Sequence, residues 1–105
     1  MDMLLPPGRP IAFFPSLGPH VGGTKAALFL CQLAYWTPRV FDGDGWIYKS
    51  QAEWCQELGL TLKEQKHARQ KLRMHGLIEE RYARLEHQLW LRLDVDAWNS
   101  CITSI

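Results

Sequence analysis

Between Lys25 and Trp36 apolar side chains fall on nearly every side of a helical wheel. Leu28, Phe29, Leu30, Leu33, Tyr35 and Trp36 are interrupted by a single polar stripe of Lys25 and Gln32. The pattern predicts a helix capped by Thr24 and terminated before Pro38. A helix that apolar is either buried on two faces or placed at a subunit interface. Ahead of it, a Pro-rich leader ends in Ile11-Ala12-Phe13-Phe14, a candidate edge strand stopped by Pro15, and Gly18, Pro19, Gly22 and Gly23 read as a loop. Beyond it, Asp42-Gly43-Asp44-Gly45 reads as a turn, and Trp46-Ile47-Tyr48 as a short strand.

Two helix starts follow in close succession. Ser50-x-x-Glu53 has the form of a capping box and opens a helix ending at Leu58, before Gly59. Thr61-x-x-Glu64 repeats the form and opens a helix from Leu62 to His75, closed by Gly76. Leu77 to Ala83 then reads as a strand, Arg84-Leu85-Glu86 as a reversal, and His87 to Leu93 as a return strand in which Leu89, Leu91 and Leu93 alternate with Gln88, Trp90 and Arg92. Asp94 or Asp96 starts a short terminal segment around Ala97 and Trp98. Two capped helices across a short glycine-containing turn make a helix-turn-helix, and the Trp46 strand can pair with the return strand. The expected fold is α+β, a winged helix-turn-helix of three helices with a small antiparallel sheet and a β-hairpin wing. Its expected division is an arm over 1–19 containing the edge strand, the winged-helix domain over 20–98, and a tail over 99–105.

A chain of 105 residues holds one domain, which excludes an enzyme with a cleft between two lobes. The longest apolar run, Ala26 to Cys31, is far too short to cross a membrane, and the acid and prolines of the first residues do not suit a signal peptide. A cytoplasmic protein is expected. Cys31, Cys55 and Cys101 lack any C-x-x-C spacing and read as buried thiols, while His20, His67, His75 and His87 are too scattered to hold zinc. The Asp42–Gly45 run has too few oxygen ligands for calcium. Gly18-x-x-x-x-Gly23-Thr24-Lys25 approaches the phosphate-cradling loop but inverts its Gly-Lys-Thr order. No nucleophile elbow and no H-E-x-x-H occurs. The reading is therefore of a chain that is not an enzyme, with no cofactor, no metal and no small-molecule substrate.

Charge changes the picture by its placement. From Thr61 to Arg92 eight cations face four anions, a net of +4, and the remainder carries −3. A field with a positive side steers polyanions. On the Leu62–His75 helix, Gln65, Ala68 and Leu72 form the core-facing edge, and the opposite side carries Lys63, Lys66, His67, Gln70, Arg73 and Met74 without a carboxylate. A helix of this width enters the DNA major groove, where Gln pairs bidentately with adenine. Gln70 is the candidate base reader, and Lys63, near the helix N-terminus, a candidate phosphate contact. Arg81 and Arg84, at or beside the hairpin tip, are candidate wing contacts with the backbone or minor groove, and Lys49 completes the set. The expected partner is double-stranded DNA.

Several segments resemble a known family. Arg9-Pro10-Ile11-Ala12-Phe13-Phe14-Pro15-Ser16-Leu17, Lys25 to Trp36, Asp44-Gly45-Trp46-Ile47-Tyr48-Lys49-Ser50, Ala68-Arg69-Gln70-Lys71-Leu72 and Gly76-Leu77-Ile78-Glu79-Glu80 are similar to the N-terminal winged-helix domain of replication-initiation proteins from phages, plasmids and integrated elements. The resemblance covers about residues 9–98. It implies DNA binding by a mobile-element protein, with Lys63 to Arg73 on the reading helix. Such initiators carry a second, helicase-loading or multimerising region, whereas this chain ends shortly after Trp98, so a stand-alone regulator or accessory protein fits the resemblance equally. A different class of function also fits. Winged-helix folds serve as assembly modules, and five tryptophans supply anchor material for a protein interface without DNA. A homodimer through helix 24–36 or the N-terminal arm would suit DNA too, since two reading helices about 34 Å apart match successive major grooves.

Overall fold

The computed structural model describes residues 3–40 and 43–105. Phe41 and Asp42 lie outside the described residues, and with them the first position of the expected Asp42–Gly45 turn; Gly43 and Asp44 do form a turn. The elements in chain order are α1 (Gly18–Val21), α2 (Thr24–Trp36), β1 (Ile47–Tyr48), α3 (Gln51–Leu58), α4 (Leu62–Met74), β2 (Ile78–Ala83), β3 (Gln88–Leu93) and α5 (Val95–Thr103). Short 3-10 turns precede α1 and follow α2. The architecture is α+β, with five helices and one three-stranded antiparallel sheet in the order β1-β3-β2.

The sheet follows from alternation. Ile47 opposes Leu91, Ile78 opposes Leu93, and all four side chains are buried on one face. The intervening positions point the other way. α2 lies at the centre of the molecule: Ala27, Phe29, Leu30 and Leu33 are each 0% exposed, and Phe29 packs its ring 4.7 Å from that of Trp54 in α3. Most of so apolar a helix is accounted for by the interior of its own chain, with Tyr35 exposed and Leu28, Ala34 and Trp36 half-buried. The 3.6-residue period of α4 brings Ala68 and Leu72 onto the same core from the other side.

Of the polar stripe of α2, Lys25 stays at the surface and Gln32 is turned inward. Gln32 is 5% exposed and donates from Nε2 to Glu57 Oε1 at 2.7 Å, and Trp36 Nε1 donates to the same oxygen at 2.8 Å. Lys49 Nζ takes the other carboxylate oxygen at 2.6 Å and lies 4.0 Å from the centre of the Trp36 ring. Burial works against the ionised Glu57, but the donors from Lys49, Gln32 and Trp36 together hold its pKa below the usual carboxylate range. Stability from this carboxylate is therefore present above the ordinary carboxylate pKa and is lost as pH falls through the lowered value. Glu57→Ala strands a buried amide, an indole N–H and an ammonium, and is expected to cost about 2–4 kcal/mol in urea unfolding at neutral pH. The loss should shrink in acid, where the wild-type carboxyl is protonated.

Four local expectations are corrected. Ile11–Phe14 forms no strand: Pro10 and Pro15 remove backbone donors, and Ile11 and Phe13 pack on the core as an irregular segment. The expected loop at Gly18–Gly23 contains the single turn α1, anchored by Leu17 and Val21, both 0% exposed. Thr24 does not cap α2, for it is the first helical residue; Gly23, at φ 122°, stands at the cap without a side-chain hydrogen bond. Lastly, α5 runs through residue 103, its start fixed by Asp94, whose Oδ1 accepts from Ala97 N at 3.0 Å. Five helices thus replace the expected three. No helix among the described residues is long and apolar enough to cross a membrane.

Candidate nucleic-acid interface

The segment that positions the candidate site starts at Ser50. Its hydroxyl accepts from Glu53 N at 3.1 Å while Glu53 Oε1 accepts from Ser50 N at 3.0 Å, so the capping box expected for α3 is formed on both sides. Gly59, at φ 70°, ends α3 in the left-handed conformation, and after Leu60 the second box repeats between Thr61 and Glu64. Gln65, 0% exposed, locks this turn from inside by donating from Nε2 to the carbonyls of Gln51 and Leu60, both at 3.1 Å. The angle at which α4 leaves α3 is thus set by two caps and one buried amide.

The inward edge of α4 is Gln65, Ala68 and Leu72, as the helical period requires, and Arg69 is added to it at 9% exposure. Burial pushes the Arg69 pKa below its ordinary value, against the opposing pull of Glu80, whose Oε1 accepts from Nε at 3.2 Å. Opposite this edge, Lys63, Lys66, His67, Gln70, Arg73 and Met74 are exposed together. Lys71, which the wheel placed on neither face, joins them. Its stem closes over Gly22 in the α1–α2 turn, where a Cβ would stand 2.9 Å from Lys71 Cβ, so the glycine at φ 103° is required by close approach as well as by conformation.

The nearby carboxylates are turned to other uses. Glu80 accepts from Arg73 Nη1 as well as from Arg69, and Glu79 accepts from Arg92 Nη2 at 2.8 Å. Glu64 pairs with Lys25 on α2. The Lys25 partner first, and then the Thr61 backbone and hydroxyl, hold its pKa at about 2. Among the described residues no carboxylate pairs with Lys63, Lys66, Lys71 or Arg84. Of the cations in the +4 stretch, those without a carboxylate partner among the described residues are Lys63, Lys66 and Lys71 on α4, Arg84 in the hairpin turn with Glu86, and Arg81 in β2.

Three candidate residues are placed differently from expectation. Lys49 is turned into the body by Glu57 and Trp36, its side chain only 14% exposed, and is removed from the contact set. Arg81 is not at the hairpin tip: it sits inside β2 opposite Trp90, with its guanidinium carbon 4.6 Å from the centre of the Trp46 ring. Strand alternation places Glu80, bonded to α4, on one face and Arg81 on the other, so Arg81 points away from α4. Arg73 remains exposed but shares Glu80 with Arg69, so part of its charge is already spent. Arg84 alone of the wing candidates lies in the turn, which spans residues 84–87 and ends in His87 at φ 51°. Tyr82, 55% exposed and in hydrogen-bond contact with His87 Nδ1 at 3.3 Å, is on the α4 side of the wing by the same alternation. Its place was readable from the strand register alone.

Among the described residues no three His, Cys, Asp or Glu side chains come together in a way that could hold a metal ion. Of the cysteines expected to be buried, Cys31 is, Cys101 is half-buried, and Cys55 is exposed on the outer side of α3. Burial raises the Cys31 pKa, against a backbone hydrogen bond at Phe14 that lowers it. Comparison with protein-family models, with curated proteins and with solved structures gives no match.

Proposed function

We propose that this chain is a winged helix-turn-helix that binds double-stranded DNA, with α4 in the major groove and the residue 84–87 turn against the adjacent backbone. The observation that carries the reading is the outer surface of α4, where Lys63, Lys66, His67 and Gln70 stand exposed while the local carboxylates are held by other residues. Lysine and the helix N-terminus suit phosphate, and Gln70, central on that surface, suits an adenine edge. The same reading takes the protein as a mobile-element factor of the replication-initiation type or a related regulator, on the strength of the sequence segments described above.

The test is fluorescence anisotropy of a labelled duplex at several salt concentrations. A surface that neutralises Z phosphates gives a log–log slope near −0.9Z, and three or four contacts predict about −3. Gln70→Ala is expected to flatten sequence preference while changing affinity for random duplex by less than about threefold. A flat salt profile would remove the electrostatic basis of the reading.

One surface favours a second reading, subunit contact through the N-terminal arm. Phe14 is 56% exposed beside Trp98, Ile102 and Ile105, which together line an apolar groove. A stable dimer without duplex affinity at 50 mM salt would establish that reading in place of the first.

A further inference from the structure

The sheet has a second face, and its composition is unlike that of a solvated surface. Tyr48, Trp90 and Arg81 stand side by side in one row across β1, β3 and β2. The Tyr48 and Trp90 rings are 5.6 Å apart at 46°, and Tyr48 is 37% exposed. Trp46, at the start of β1, has the guanidinium groups of Arg81 and Arg92 within 4.6 Å and 4.5 Å of its ring centre. Between β1 and the C-terminal end of α2 these rings border an open groove of about 410 Å³, completed by Trp36 and Arg39. None of this is used by α4, which packs on the opposite side of the sheet.

The charges decide what such a surface can accept. No carboxylate lines the groove among the described residues. Lys49 at its floor is already held by Glu57, but Arg39 and Arg81, on opposite sides of the rings, have no carboxylate partner among the described residues. An ammonium ligand would meet cations of its own sign. An apolar helix would bury two guanidinium groups without compensation. A strand of unpaired nucleotides presents what both parts of the surface need, flat rings for Tyr48 and Trp90 and phosphates for the arginines.

We propose that the outer face of the sheet is a stacking platform for single-stranded DNA, with bases on Trp90 and Tyr48 and phosphates at Arg39 and Arg81. The platform is independent of duplex reading by α4, because the two surfaces share no residue and lie on opposite sides of the sheet.

Labelled dT15, titrated by anisotropy at 50 mM salt with tryptophan quenching read in parallel, tests it. Wild type is expected to bind with quenching. Trp90→Leu and Arg81→Ala should each weaken dT15 at least about fivefold, and Trp90→Phe, which keeps a stacking ring, should stay within about twofold of wild type. Tyr48→Ala, at a more exposed position, gives the same readout if Trp90→Leu fails to fold. Lys63→Glu/Lys66→Glu should leave dT15 affinity within about threefold, and Trp90→Leu should leave duplex affinity unchanged, so that either surface can fail without the other. Absence of dT15 binding, equal affinity in the folded Trp90→Leu and Tyr48→Ala variants, or a self-association abolished by Trp90→Leu would each overturn the proposal.

Discussion

A Lys63→Glu/Lys66→Glu variant is expected to lose duplex DNA affinity by about a hundredfold or more at 50 mM salt, with its melting temperature nearly unchanged. Each reversal removes a phosphate contact and adds a repulsion, and two contacts fewer lower the salt slope by about 1.8. The choice of pair comes from the structure. Arg73 is the more obvious cation by sequence, but it shares Glu80 with buried Arg69. Arg73→Glu would set two carboxylates against each other there and confuse lost binding with lost folding. Lys63 and Lys66 have no such ties. Lys63 lies in the first turn of α4, where a carboxylate is favoured by the helix dipole, so its reversal is neutral or mildly stabilising. Duplex affinity within threefold of wild type in this variant would exclude α4 as the reading element.

Phe29→Ala is expected to cost about 3–5 kcal/mol, the full range for removing a buried phenyl ring, and the contact with the Trp54 ring adds to the reason for placing it there. Phe29 is 0% exposed, on a helix that touches α1, α3, α4 and β3. Little can collapse into the space left, because the neighbours are held by other elements. Against a total of about 5–15 kcal/mol for a domain, that is between a fifth and the whole of the stability. Phe29→Leu, which fills most of the volume, should cost about 1.5 kcal/mol or less. Urea unfolding at constant m-value measures both. A Phe29→Ala loss under about 1 kcal/mol would mean that α2 is not the centre of the core.

Most of α3, α4 and the hairpin was legible because each rests on local chemistry. Ser50-x-x-Glu53 and Thr61-x-x-Glu64 close their own hydrogen-bonded rings within four residues, and Leu89, Leu91 and Leu93 declare one face of a strand by parity. The N-terminal region was less legible. Ile11–Phe14 has the composition of a strand, but prolines on both sides leave it without a ladder, and the turn at α1 is held by Leu17 and Val21 in a distant core. The start of α5 was narrowed to Asp94 or Asp96, and its length was missed because its nine residues depend on packing of Ala97, Trp98 and Cys101.

The candidate site divides in the same way. Periodicity alone turned Gln65, Ala68 and Leu72 inward and Lys63, Lys66, His67 and Gln70 outward, since a helix repeats every 3.6 residues wherever it is placed. Which of the cations would remain uncompensated is a matter of partners far apart in the chain: Lys25 reaches Glu64, Lys49 reaches Glu57 and Arg92 reaches Glu79. The sequence by itself determined where α3 and α4 start, which way α4 faces and how the strands alternate, because those depend on neighbours within a few residues. The tertiary structure alone decided which charges are spent and which rings are gathered on one face, because ion pairs and stacking form only between groups that folding brings within a few ångströms.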